Sequence, residues 1–180
     1  MKTSWHTLIF LIVFFLGCAS TEDLSLISEF DESADFDSYQ TFVICIDDLF
    51  VENTSYPEYD NNYIRQLIGK EIEDQMIGFG YRTNVVKPQL QSGFQILIVE
   101  KEATFKNCNL QEDYTYWKSC TIDSVKYTEQ TLVVYVSDIE KNQIIWQASV
   151  NCDLNKSKSL LKSYIADLVE KLFKEYPKSN

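Results

Sequence analysis

Residues 131–150 read TLVVYVSDIEKNQIIWQASV, and this stretch decides the fold. Both of its ends are rich in β-branched and aromatic residues, which favour strands. The polar residues between them, Asp138 to Asn142, are typical of a hairpin turn. From Ile144 to Val150, apolar side chains alternate with polar ones. The pattern therefore predicts an antiparallel hairpin in a sheet with one covered face and one wetter face.

Two further apolar segments lie upstream of this hairpin. Tyr39 to Ile46 has apolar side chains at both alternating sets of positions, a pattern typical of an inner strand. Phe94 to Val99 is also short and apolar, which predicts another strand. Together with the hairpin, these segments predict a sheet of four to six strands.

Two amphipathic helices are predicted beside the sheet. Asp60 or Asn61 supplies an N-cap for a helix that runs to about Ile77, and glycines follow its end. A second helix spans about Ser159 to Lys174 and has a wide apolar face. We therefore expect an α+β fold, with a largely antiparallel sheet and the two helices packed on it, in a single domain over residues 30–177.

One segment of this domain shows no sustained strand or helix period. Residues 103–130 are rich in Tyr, Asn, Asp and Lys, and we expect them to form an irregular insert. Connections of this length inside a compact domain are usually either functional or mobile.

The start of the chain has the composition of an export signal. A single cation precedes the apolar run Leu8 to Leu16, which is much shorter than the roughly twenty residues that cross a membrane as a helix. The run ends in Phe15-Leu16-Gly17-Cys18, which resembles the lipobox that is cut in front of a lipid-modified cysteine. We therefore expect a lipoprotein signal peptide at residues 1–17, acyl chains such as palmitate on Cys18, and a tether at 18–29. An uncleaved signal anchor is the alternative.

The chain is strongly acidic, with 27 acidic residues against 16 basic ones. Removal of the signal peptide takes Lys2 away, so the side-chain charge becomes 15 − 27 = −12. Such a surface repels nucleic acid and anionic headgroups. We expect no nucleic-acid partner, and contact with the membrane through the lipid on Cys18 alone. His6, the only histidine, also leaves with the signal, which excludes histidine-dependent nucleophiles and zinc sites.

Several segments resemble one known family in their order and spacing. Phe30 to Phe42 resembles the aspartate-rich turn and Tyr-Lys-Thr-Phe strand that open the domain in the domain-of-unknown-function 4136 lipoproteins. The hairpin and the ending Phe173 to Pro177 are similar to that family's two strands and its closing Phe-Pro. The resemblance covers about residues 29–177 and implies a bacterial envelope lipoprotein, with no catalytic residues to transfer. Because no aspartate directly follows Cys18, we expect the outer membrane, with the domain facing the periplasm.

Four cysteines remain after Cys18, and they allow three disulfide pairings. Cys108 and Cys120 lie in the same predicted insert, so a bond between them would close a short loop, and we favour this pair. Cys45 and Cys152 are the other two. A four-thiolate zinc site is the alternative, but the C-x-x-C spacing that such sites use does not occur. We expect no metal and no cofactor.

Aromatic residues are the leading candidates for a binding surface. They fall in the loop before the first helix and in the predicted insert, where they can stack on sugar rings or anchor a protein partner. The alternative is that they fold back and cover the open face of the sheet. The candidates are Tyr56, Tyr59, Tyr114, Tyr116 and Trp117. We expect a non-catalytic protein that binds an envelope protein or glycan.

Paired carboxylates give the alternative function, a hydrolase of envelope polysaccharide. Glycoside hydrolysis needs two carboxyl groups about 5–10 Å apart. In a chain with 27 acids, close pairs on a solvated surface are expected by chance. The candidate pairs are Asp47 with Asp48, Glu100 with Glu102, and Glu112 with Asp113.

The lipobox makes a prediction about the mature N-terminus. Mass spectrometry of the membrane-extracted protein should give a first residue of Cys18 that carries diacylglyceryl and acyl groups. A mature chain that starts elsewhere, or that starts at Cys18 without lipid, would contradict the lipoprotein interpretation.

Overall fold

The computed structural model describes residues 25–50, 53–109 and 119–177, with the backbone alone for 107–109 and 119–120. Six strands and three helices follow in chain order. They are β1 (Leu26–Phe30), β2 (Thr41–Ile44), α1 (Ile46–Phe50), α2 (Asn62–Gly78), β3 (Arg82–Thr83), β4 (Leu90–Asn109), β5 (Ser119–Asp138), β6 (Gln143–Cys152) and α3 (Lys158–Phe173).

The six strands form one sheet in the order β1-β6-β5-β4-β2-β3. The pairs β1–β6, β6–β5 and β5–β4 are antiparallel, whereas β2 runs parallel to both β3 and β4. The predicted α+β fold, with a largely antiparallel sheet and amphipathic helices packed on it, is confirmed. The parallel pairs arise because α2 carries the chain back from β2, and a crossover of this kind joins parallel strands.

The helices α2 and α3 cover one face of the sheet. Ile68 and Ile72 of α2 and Ile165 of α3 are fully buried, and they meet the alternating apolar residues of the central strands. The Trp146 ring lies at the centre, with its centroid 5.1 Å from that of Phe173. Asn61 is the N-cap of α2, as predicted, because its side chain accepts a hydrogen bond from the amide of Ile64.

The alternation predicted for β6 is correct except at its first apolar residue. Trp146, Ala148 and Val150 are buried, but Ile144 is 49% exposed and Ile145 is fully buried instead. The cause is a β-bulge, since Val136 pairs with Trp146 whereas Ser137 pairs with Ile144. The extra residue in β6 reverses the faces beyond it.

Three boundaries from the sequence are corrected by the structure. The predicted tether 18–29 includes residues of β1, which pairs with β6 along its whole length. The predicted irregular insert at 103–130 is a pair of antiparallel strands over its described residues, because β4 and β5 stay in register from Leu90 to Asn109. The loop expected before the first predicted helix begins as the short helix α1.

A polar contact closes the edge of β4 where β2 leaves the sheet. Asp48 of α1 accepts hydrogen bonds at one carboxylate oxygen from the Phe94 amide (2.9 Å) and from the Tyr135 hydroxyl (2.8 Å). Burial and this hydrogen bond raise the pKa of Tyr135, which therefore stays protonated and donates. Gly93 lies beneath the pair, because a Cβ atom there would be 2.3 Å from the same carboxylate oxygen.

A glycine substitution tests this contact. Gly93→Ala should lower the free energy of unfolding by roughly 1–3 kcal/mol, since the added methyl group displaces Asp48 and Tyr135. Gly78→Ala is the matched control, because its Cβ would meet nothing within 4 Å, and it should leave stability unchanged or slightly raised. Denaturant unfolding measures both variants. Equal stability of the two would contradict the account of Gly93.

Candidate functional site

The strands β4 and β5 extend well beyond their neighbours. Pairing of β2 with β4 stops at Ile44 and Ser92, and pairing of β6 with β5 stops at Cys152 and Gln130. Residues 99–109 and 119–129 continue as a two-stranded hairpin, which we call the arm. A two-stranded ribbon is marginally stable in water, so the arm is the part of the described fold that most needs another surface.

One side of the arm is apolar. In antiparallel strands alternate residues share a face, and the odd-numbered residues of both strands continue the side of the sheet that no helix covers. Each of the large apolar side chains there is about half exposed. They are Val99 (53%), Phe105 (56%), Val125 (52%) and Tyr127 (48%) in the arm, and with Leu97 (47%), which lies just below the arm on the same side, we call them the apolar face.

An ion pair crosses the apolar face near the base of the arm. Lys101 contacts Glu129, and the bond to Glu129 raises the pKa of Lys101. Glu129 also accepts a hydrogen bond from Asn151 of β6 at 3.2 Å. Its carboxylate therefore joins the first residues of the arm to the edge of the six-stranded part.

The opposite side of the arm is mainly charged and polar, although Ile122 on this side is 75% exposed. The aromatic loop before α2 lies against its base. The hydroxyl of Tyr56 donates a hydrogen bond of 3.0 Å to Glu100, which raises the pKa of Tyr56. The rings of Tyr56 and Tyr59 are 6.4 Å apart, and Tyr59 also packs against the core. Both tyrosines are half-buried, so only part of each side chain in this part of the predicted binding surface is open to solvent.

A buried ion pair fixes the aromatic loop. Arg65 donates from Nε and Nη2 to the two carboxylate oxygens of Asp60, at 2.5 and 2.8 Å. Its Nη1 also donates to the main-chain carbonyl of Asp48 at 2.6 Å. Since Asp60 and Arg65 are 2% and 7% exposed, the loop and α1 are held together by a paired charge in the protein interior.

The structure brings together only part of the predicted surface. Cys18, Tyr114, Tyr116 and Trp117 lie outside the described residues, so their assignments stay predictions. Sequence reasoning missed the apolar face, although residues 99–106 (VEKEATFK) carry the signal. Apolar residues occupy the odd positions except Lys101, and polar or charged residues the even ones, which is the alternation of a half-covered strand.

The candidate carboxylate pairs lie at different places. Asp48 serves the contact at the edge of β4, while Asp47 beside it is exposed. Glu100 and Glu102 share the charged side of the arm and are both exposed, and Glu112 with Asp113 lies outside the described residues. Within the described ranges no group of three or more His, Cys, Asp or Glu side chains is placed to hold a metal ion.

The candidate disulfide has a defined backbone position. Cys108 and Cys120 are direct cross-strand partners near the described end of the arm. Directly opposed residues in antiparallel strands have Cα atoms about 4.5–5.5 Å apart, which lies within the roughly 4.4–6.8 Å that a disulfide spans. Cys45 and Cys152 are free thiols, and burial raises the pKa of Cys152 to about 12.

Comparison with known proteins identifies the family. A family model described as Domain of unknown function (DUF4136) matches residues 27–178. The chain belongs to this family. Comparison with curated proteins gives no match. Within the described residues, no helix has the length and apolar character needed to cross a membrane.

Two crystal structures share the fold of this DUF4136 domain. A DUF4136 family protein from Bacteroides thetaiotaomicron has a TM-score of 0.54 at 12% identity, over 87% of this chain and 97% of that one. A PDZ domain protein from Parabacteroides distasonis has a TM-score of 0.53 at 14% identity, over 87% of this chain. The alignment spans 36% of the Parabacteroides chain, so this chain matches only about a third of that protein. At these identities the likeness concerns the fold alone.

The register of the arm predicts a cross-strand disulfide. In protein from an oxidising compartment, peptide mapping without reductant should recover Cys108 linked to Cys120, because their Cα atoms are opposed. Alkylation at pH 8 should modify Cys152 only after unfolding, since a thiol with a pKa of about 12 has little thiolate at that pH. Cys108→Ser is the control and should release Cys120 for alkylation. A different pairing in the native protein would contradict the register.

Proposed function

We propose that this chain is a bacterial envelope lipoprotein, anchored by lipid on Cys18, that binds another envelope component through its arm and catalyses no reaction. The observation that carries the proposal is the arm itself. It extends beyond the neighbouring strands and leaves the apolar face about half exposed. Contiguous exposed apolar surfaces on folded proteins commonly mark sites that bind another protein, a ligand or a membrane.

The anchoring part of the proposal is supported by the sequence at the start of the chain. The Phe15-Leu16-Gly17-Cys18 segment resembles a lipobox, with Phe15 where Leu is usual, and an acyl anchor would hold the domain at a membrane without a spanning helix. Because no aspartate directly follows Cys18, we assign the anchor to the outer membrane, with the domain in the periplasm.

The non-catalytic part rests on the side chains that remain after processing. The segment after residue 17 has no histidine, so acid–base chemistry would depend on carboxylates. Among these, the Asp48 carboxylate is used in the fold, and Glu100 is bonded to the Tyr56 hydroxyl. Glu100 and Glu102 lie on an open surface, whereas a general acid needs a buried carboxyl group with a raised pKa.

The arm can be shortened without changing the register of the sheet. Lys101 and Tyr127 are direct partners, so replacement of residues 102–126 by Asn-Gly closes the hairpin with a two-residue turn. The variant should fold with a melting temperature close to that of the parent, because the core lies below the arm.

The experiment is photo-crosslinking in intact cells from a probe at position 97, which lies just below the arm on the side of the apolar face and is present in both chains. The parent should form adducts with an envelope component, and the shortened variant should lose most of them. Mass spectrometry then assigns each adduct as protein, glycan or lipid. The same adducts from both chains would contradict a binding role for the arm.

A further inference from the structure

The direction of β1 places the start of the domain at the same end of the sheet as the arm. Leu26 pairs with Val150, Val150 pairs with Leu132, and Leu132 pairs with Ile96, so these four residues form one row across the sheet. β1 is antiparallel to β6 and therefore runs in the same direction as β5, away from the arm. The chain consequently enters the sheet from the side towards which the arm extends.

The tether is shorter than the arm. Leu26 is eight residue steps from Cys18, and a fully extended chain covers at most about 3.6 Å per step, or about 29 Å. From Ile96 in the same row, β4 continues for thirteen residues to Asn109, which at about 3.3 Å per residue is about 43 Å along the strand. A bilayer that holds the lipid on Cys18 is therefore within reach of much of the arm.

The composition of the arm suits contact with lipid. The described arm residues carry four acidic and three basic side chains, so the arm is nearly neutral although the whole chain has a charge of −11. The apolar face contains Phe105 and Tyr127, and aromatic side chains favour the region between headgroups and acyl chains. Four of the seven charged arm residues, among them Lys106 and Lys126, lie on the opposite side, whereas Asp123 and the Lys101–Glu129 ion pair lie on the same side as the apolar face. A charged side opposite an apolar one is typical of elements that lie in the plane of a membrane surface.

We propose that the arm lies on the bilayer that holds Cys18, with its apolar face against the lipid. This proposal rests on the proposed lipid anchor and names the component that the apolar face binds. It changes the expectation that the lipid alone contacts the membrane. A second copy or a protein partner could also cover an apolar strand surface. The short tether, however, holds the arm end of the sheet close to the bilayer, and neither of these alternatives requires that placement.

The alternating geometry of the arm allows a matched test. Val125 and Lys126 are adjacent and lie on opposite sides of the arm. Both side chains are exposed, and the exposed fraction of Val125 is 52%. A photoreactive residue is placed at one or the other position of the full-length lipidated protein. Each variant is reconstituted into phosphatidylethanolamine–phosphatidylglycerol vesicles and irradiated, and lipid adducts are counted by mass spectrometry. Phe105 and Lys106 provide a second matched pair on β4.

The expected result is a severalfold excess of lipid adducts at positions 125 and 105 over positions 126 and 106. Equal adduct yields on the two sides, or adducts from the apolar face to a second copy of the chain, would overturn the proposal. Flotation of the same samples separates the two proposals. If the chain lacks lipid on Cys18 and fails to float with vesicles, the proposed anchoring is wrong. If the chain is lipidated and floats but shows no excess of lipid adducts at positions 125 and 105, only the proposed placement of the arm is wrong.

Discussion

The hydrogen bonds from the Phe94 amide and the Tyr135 hydroxyl to Asp48 mark the point on which the rest of the fold depends. At this point β2 leaves the sheet, so the Phe94 amide of β4 has no acceptor from β2 and needs another one. The Asp48 carboxylate supplies it, and α1 then turns the chain towards α2. Arg65 holds the main chain of the same residue while it pairs with Asp60. Beyond this contact, β4 has only β5 beside it.

The strands differ greatly in length, and this difference underlies the binding role that we propose for the arm. β4 and β5 each have 20 residues, whereas β6 has 10 and β2 has four. The core uses only the part of β4 and β5 that α2 and α3 cover. The remaining length adds an amphipathic surface to a domain whose helix-covered side is already packed. Such a surface contributes little to the stability of the isolated domain, which is why we assign it to binding.

The sequence predicted the elements in which local pattern and burial agree. The hairpin around Asp138 to Asn142 and the two helices have a clear period, and Asn61 has the side chain that an N-cap requires. β1 was missed because its five residues, LISEF, include polar residues at Ser28 and Glu29, and the strand forms by pairing with the edge of β6. The bulge at Ile145 depends on a register across two strands, which a single segment does not reveal. The arm was missed because Lys101 interrupts the apolar positions of residues 99–106, and because β4 and β5 pair across residues that are far apart in the sequence.

The central claim is that the arm is a paired hairpin that lipid stabilises. Amide hydrogen exchange in two samples tests this claim directly. One sample is the full-length lipidated protein in vesicles. The other is a Cys18→Ala chain without its signal peptide, in detergent-free solution. Amides at 132–136 of β5 lie in the core and should exchange slowly in both samples. Those at 99–106 and 121–129 should exchange slowly on vesicles and much faster in solution. Equal protection of the arm in the two samples would contradict the account.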